Sequence, residues 1–136
     1  MTRRNGRAGQ SLVEVALVLP ILLVILLGVF DFGRAVFAFN AVANAAREAA
    51  RVAIVDQKTS GVVAEGKQAA LGLDPATVDV DFSVADCPEP VLIGCTAQVT
   101  VDYEWRAITP VIGSIIGPIQ LSSTTAMPIE RVFISP

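Results

Sequence analysis

The strongest constraint on this chain is one uninterrupted apolar run. Residues 12–30 read LVEVALVLPILLVILLGVF, with Glu14 the single charge among them. As a helix rising about 1.5 Å per residue, the run is roughly 28 Å long, close to the hydrocarbon thickness of a bilayer. Arg3, Arg4 and Arg7 precede it, whereas Asp31 and a lone nearby base, Arg34, follow it. Positive charge resists translocation, so the sequence predicts a single-pass protein with a cytoplasmic N-terminus and an exported remainder. A cleaved secretory signal is the competing reading. Such signals have an apolar core of about 7–15 residues followed closely by a small-x-small site. Here the run is longer, and the first such stretch, Ala41-Val42-Ala43, comes well beyond it.

Composition narrows the function classes. The 136 residues are 53% hydrophobic and 17% charged, with a net charge of −3. Soluble domains have about 45–50% apolar and about 25% charged residues, so lipid is the expected solvent for part of this chain. The acidic balance gives no electrostatic basis for binding nucleic acid. Histidine is absent and only two cysteines occur. That removes Ser-His-Asp and Cys-His catalysis and leaves too few soft ligands for an ordinary zinc site. No enzyme activity, metal or cofactor is expected.

Two residues break the pattern of a plain membrane helix. An acidic side chain at a helix centre is disfavoured by about 2.5–3.5 kcal/mol on insertion scales. Glu14 stands near the end of the run, where it can reach the interface. Five residues upstream is Gly9, in the order Gly9-Gln10-Ser11-Leu12-Val13-Glu14. A cut after Gly9 would give Gln10 a new α-amino group one helical turn from Glu14, able to pair with a carboxylate of its own chain or a neighbouring one. Pro20 removes one backbone donor and bends a helix unless neighbours re-satisfy the freed carbonyl. Proline is common enough in membrane helices for Pro20 to be simply that.

Beyond the run, no glycine or proline lies between Ala35 and Val55, and alanine dominates. The helix is therefore expected to run from about Ser11 to about Val55, roughly 65 Å. Arg47 and Arg51 are four apart on one face, with Glu48 beside them. Ala41, Ala45, Ala46, Ala49, Ala50 and Ala53 allow another backbone close, either a second helix or the domain's own sheet.

A short basic leader, Gly9, Glu14 and an apolar helix together resemble the processing site of type IV-like prepilins. Pro20, the Asp31-Phe32-Gly33-Arg34 exit and the Ala46-Arg47-Glu48-Ala49-Ala50-Arg51 block extend the resemblance to the TadE-like family of the tight-adherence (Flp) pilus apparatus. It covers about the first 55 residues. The resemblance implies cleavage between Gly9 and Gln10 by a prepilin peptidase, and a packing role for Glu14 and Pro20. It also implies family-motif helix residues at Asp31, Gly33, Arg34, Arg47, Glu48 and Arg51. Implied partners are other pilins or pseudopilins and the inner-membrane assembly platform of a prokaryote. Polar Gln10 and Ser11 after the scissile bond favour the tight-adherence branch over type II secretion pseudopilins. Loss of the leader arginines would leave seven bases against thirteen acids.

The remaining residues read as a small α+β domain. Residues 56–61 are polar and loop-like; 62–73 have helical spacing, with Val63, Ala70 and Leu71 able to face inward, ended by Asp74-Pro75. Val78, Val80, Phe82 and Val84 then alternate with polar residues, as do Ala97, Val99, Val101, Tyr103 and Trp105. A third strand is expected over about 119–127, interrupted by Pro128, with 130–134 extending that edge. Cys87 and Cys95 stand at the neck of the expected hairpin. Export permits a disulfide between them; two free, partly buried thiols are the alternative. From Asp74 to Glu104 there are seven carboxylates and no base. Asp79, Asp81, Asp86 and Glu89 are a conceivable calcium set, but alternating acids are most simply a solvated strand face, and EF-hand spacing is absent. The apolar stretch 108–119 is too short to span a membrane. Burial in the domain core is its expected fate, with a membrane-touching loop or partner surface as alternatives.

The resulting expectation is an α+β chain, pilin-like, with a long N-terminal helix on an antiparallel sheet of three to four strands. Its segments are a leader (1–9), a membrane helix (10–33), the helix's outward continuation (34–55) and an extracytoplasmic domain (56–136). The expected function is a minor pilin or pseudopilin acting in pilus assembly or adhesion. The alternative is an uncleaved, membrane-anchored module presenting the acidic hairpin to a ligand.

Overall fold

The computed structural model describes residues 6–87 and 93–132. One helix, α1 (Gly6–Ala53), supports everything else, and it continues without interruption through Pro20. Its N-terminal half is bare: an 18-residue apolar window has none of its surface buried in the protein. Its C-terminal half is the opposite. Ala38, Val42, Ala45, Ala46, Ala49, Ala50 and Ala53 are all buried, recurring at the three- and four-residue steps that keep one helical face toward a partner. That partner is the domain's own sheet and second helix, so the alanines seat α1 on its own chain.

The elements then follow as α2 (Thr59–Ala69), β1 (Val78–Ala85), β2 (Thr96–Trp105), α3 (Pro110–Ile116) and β3 (Ile119–Pro128). The strands form one antiparallel sheet in the order β1-β2-β3. This is the expected α+β architecture, with three strands among the described residues. The register sets Val80 opposite Val101 and Phe82 opposite Val99, while Val101 also faces Ser123. Because side chains alternate across a strand, this register turns Val78, Val80, Ala97, Val99 and Val101 together toward α1 and α2. The opposite face keeps Asp79 and Asp81 exposed.

Three local expectations are corrected. Helix α2 begins at Thr59, inside the residues expected to be a loop. It buries Val62 and Gly66, and Ala70 just past its end is buried too, whereas Leu71 is 70% exposed and Val63 only half-buried. The helix has already ended when the chain reaches Leu71, so helical phase no longer points that side chain inward. Residues 130–132 do not prolong β3 either. After Pro128 ends the strand, Ile129 N–H donates to the Cys95 carbonyl (2.7 Å) and the chain turns under α1. There Glu130 N–H and Arg131 N–H both donate to the Ile54 carbonyl (3.1 Å each), and the Gln57 amide donates to the Ala53 and Arg131 carbonyls. These bonds satisfy carbonyls that the end of a helix leaves open. Ile134 lies outside the described residues.

The turn after α2 requires a glycine. Gly72 has φ +79°, and a Cβ built there would stand 2.9 Å from the Phe37 ring. Gly72→Ala should destabilise the domain by about 1–3 kcal/mol, from left-handed backbone strain together with the displaced ring. Gly61→Ala is the matched control, since a Cβ there meets open space inside α2. It should be neutral or stabilising by up to about 1 kcal/mol. Denaturant unfolding of the full chain in detergent measures both, and equal effects would refute this account of Gly72.

Candidate functional site: the helix and its junction with the domain

The processing, packing and family-motif residues singled out in the sequence all lie on α1, spread along its length. Gly9 and Gln10 are helical and exposed, with nothing near Gly9. Glu14 is exposed and borders a shallow, open apolar groove with Val15, Val18, Leu19 and Leu22. Pro20 is exposed among leucines. A second apolar groove, formed by Leu26, Val29, Phe30, Gly33, Arg34 and Phe37, begins in the apolar run and continues past its end. Gly33 has open space beside it, which makes it a notch in that groove. Arg3 and Arg4 of the leader lie outside the described residues.

The membrane-proximal junction has the most developed geometry in the chain. Asp31 is buried although it follows directly on the apolar run. Its carboxylate accepts hydrogen bonds from the backbone N–H groups of Ile108 (3.1 Å) and Thr109 (3.0 Å), and from the Arg34 guanidinium (3.3 Å). The Thr109 side chain also hydrogen-bonds this carboxylate. A buried carboxylate with several donors is stable, because each charge-assisted bond offsets part of the lost hydration. The bonds tie the 106–109 connection, 77 residues further along the chain, to the first turn of α1 beyond the apolar run. One turn earlier, the Ile112 side chain closes on Gly28: a Cβ there would be 3.3 Å from the Ile112 Cδ1. Thus α3 is fastened beside the last turn of the apolar run by a carboxylate clamp and a small-residue contact.

This overturns the expected core burial of residues 108–119. Ile108, Ile115, Ile116 and Ile119 are 70%, 78%, 54% and 37% exposed. Helix α3 lies at the end of the sheet instead of under it, where α1 has no alanine face to cover it. The partners of Asp31 were not foreseen from the sequence, since backbone donors leave no residue-type signal. The helix start had one, because Thr109-Pro110 is an N-cap residue followed by proline at the first helical position.

Further out, Arg51 Nη1 donates to Glu48 Oε1 at 2.9 Å on the exposed side of α1, and Arg47 is exposed next to them. An exposed pair of this type contributes at most about 1 kcal/mol. A disulfide joins Cys87 to Cys95, with Cα atoms 5.6 Å apart, across the hairpin neck. Asp79 and Asp81 point to solvent from β1, and Asp79 stands directly opposite Asp102. Glu89, the fourth member of the conceivable calcium set, lies outside the described residues. No group of three His, Cys, Asp or Glu positioned to hold a metal occurs among the described residues.

The fold and the site define an α+β protein built on one helix, with one end bare and long enough to cross a membrane and the other end packed in a domain. Residues 9–51 match the family model described as TadE-like protein, the family that the Gly9–Glu14 and Ala46–Arg51 blocks resemble. Over those 43 of 136 residues the chain is similar to TadE-like proteins. No curated protein and no solved structure matches the chain.

Two measurements test the domain's attachments. Asp31→Ala strips the acceptor from two backbone donors, one of them in buried Thr109, a loss of about 1–3 kcal/mol. Hydrogen exchange at Ile108 and Thr109 should accelerate, less so in Asp31→Asn, which keeps one acceptor; unchanged exchange would exclude the clamp. Reducing Cys87–Cys95 opens a short loop and should lower domain stability by about 2–3 kcal/mol. Unfolding midpoints with and without reductant read that difference.

Proposed function

We propose that this chain is a minor pilin or pseudopilin of the tight-adherence pilus apparatus, made as a precursor and cleaved between Gly9 and Gln10. Its role is assembly. The apolar half of α1 keeps the subunit in the inner membrane, N-terminus inside, and the domain stands on the outer side. The observation that carries this reading is the division of α1. Its C-terminal half is buried in its own domain, whereas residues 12–30 make almost no contact with the rest of the chain. Surface of that kind is complementary to lipid or to other apolar helices, the two environments through which an assembling pilin passes.

Glu14 fits an assembly role through its charge. In the cleaved chain the new α-amino group of Gln10 lies one turn away on an open helix surface. Among the described residues the ion pairs are Arg34–Asp31, Arg51–Glu48 and Arg106–Glu104; on this reading the Glu14 carboxylate pairs with the amino terminus of a neighbouring subunit. The Leu26–Phe37 groove, with its Gly33 notch, offers a neighbouring helix a close approach. Prepilin peptidase, other pilins and the inner-membrane platform are the partners this reading requires. It assigns no catalytic step to the chain.

Co-expression with a cognate prepilin peptidase tests the processing step. Intact mass should show loss of the first nine residues, and Gly9→Ala should abolish that loss. Glu14→Ala should be cleaved normally yet fail to support pilus assembly. An uncleaved wild-type chain would refute the prepilin reading and leave an anchored module, and normal piliation in Glu14→Ala would remove the packing role.

A further inference from the structure

The isoleucines of α3 lie at a specific height. Ile112 packs on Gly28, two residues before the end of the apolar run, and Asp31 holds the backbone of Ile108 and Thr109 just beyond that end. Two residues of helix are about 3 Å. If Leu12–Phe30 spans the bilayer, α3 therefore stands level with the boundary between acyl chains and headgroups. At that level Ile115 and Ile116 are exposed, and no charged residue occurs from Ala107 to Ile129. The nearest charges on the segment, Glu104 and Arg106, pair with each other at the end of β2, before the apolar stretch begins. An exposed apolar patch of this kind is costly in water.

We infer that α3 and its flanking residues form a second membrane contact, with Ile108, Ile115 and Ile116 seated in the outer-leaflet interface of the same bilayer that α1 crosses. The occupant of the patch is lipid, because the patch is continuous with the lipid-facing surface of α1 and fastened to its last apolar turn. A short apolar helix lying in the interface binds by the area it buries there. The consequence is orientation. One helix alone lets a domain swivel and tilt, whereas two contacts, joined by the Asp31 clamp, fix the sheet against the membrane. The inference rests on α1 being a membrane span and does not depend on cleavage at Gly9 or on a pilus role.

Site-directed spin labelling of the full chain in phosphatidylcholine–phosphatidylglycerol vesicles tests it. Both native cysteines are in the disulfide, so single cysteines at Ile115, Ile116, Leu22 and Gln68 can be labelled without reduction. Leu22 is the lipid reference and Gln68, exposed on α2, the water reference. Labels at Ile115 and Ile116 should show an oxygen-to-nickel accessibility ratio several-fold above that at Gln68 and approaching that at Leu22. A ratio equal to that at Gln68, with Leu22 in lipid, overturns the inference alone. Low access to both reagents at Ile115 and Ile116 overturns it in favour of a protein partner on this face. A Leu22 label that reports water removes the membrane span and the inference with it.

Discussion

The whole structure depends on a change of solvent along one continuous helix. From Leu12 to Phe30, Glu14 apart, α1 presents apolar side chains in every direction, and from Ala38 onward it presents alanines to a sheet and another helix. A helix satisfies its own backbone hydrogen bonds, which is why it can pass from lipid to protein without a break. The transition is marked by Asp31, whose carboxylate reaches out of α1 to the backbone of the 106–109 connection. The domain thereby meets α1 in two ways, by close packing along the alanine face and by a charge-assisted clamp at the membrane-proximal end. The packing positions the sheet along the helix; the clamp fixes where the domain begins relative to the apolar run.

Small residues let this happen in a domain with few large core side chains. The buried core is mostly alanine and valine, with Ile129 closing one end. Alanine on α1 brings the helix axis close to the strands, and Gly66 on α2 permits the same closeness to Val80 and Ala49. Such a core has a modest area, and small domains are marginal for that reason. The Cys87–Cys95 bridge and the hydrogen bonds from residues 130 and 131 to Ile54 supply constraint where apolar area is limited. Both act at the end of the domain away from the apolar run, whereas Asp31 secures the other end.

Features with a strong local period were legible in the sequence. The apolar run, the alanine helix beyond it and the alternation of β1 and β2 each repeat often enough to identify the element and its inner face. The fate of the alanine stripe was open between a second chain and the domain's own sheet, because small residues state only that something comes close. Residues 108–119 were misread as core since apolar composition reports a preference for leaving water without naming the destination. Their exposure follows from tertiary placement, at the end of β2 next to a helix that is itself uncovered. Leu71 failed for a smaller reason, two residues past the end of α2. Backbone partners such as Ile108 and Thr109 have no signature at all in a sequence, so the Asp31 clamp is visible only in the fold.

The division of α1 also constrains what would follow if such a chain left the membrane. Each apolar side chain moved into water loses about 1.5–3 kcal/mol, so baring residues 12–30 would oppose extraction by tens of kcal/mol. No rearrangement of this domain can cover that surface, because its own apolar face is already filled by the C-terminal half of the same helix. Cover must come from outside the chain, from lipid or from the helices of neighbouring subunits. A carboxylate at Glu14 sharpens the requirement, since a charge taken from an interface into an apolar assembly needs an ionic partner. If the leader were cut after Gly9 as proposed, a neighbour's α-amino group at Gln10 would meet that need. On the proposed prepilin reading, assembly and processing would be linked by the same physics: an uncut chain would lack the charge that makes Glu14 tolerable among packed helices, and would remain in lipid.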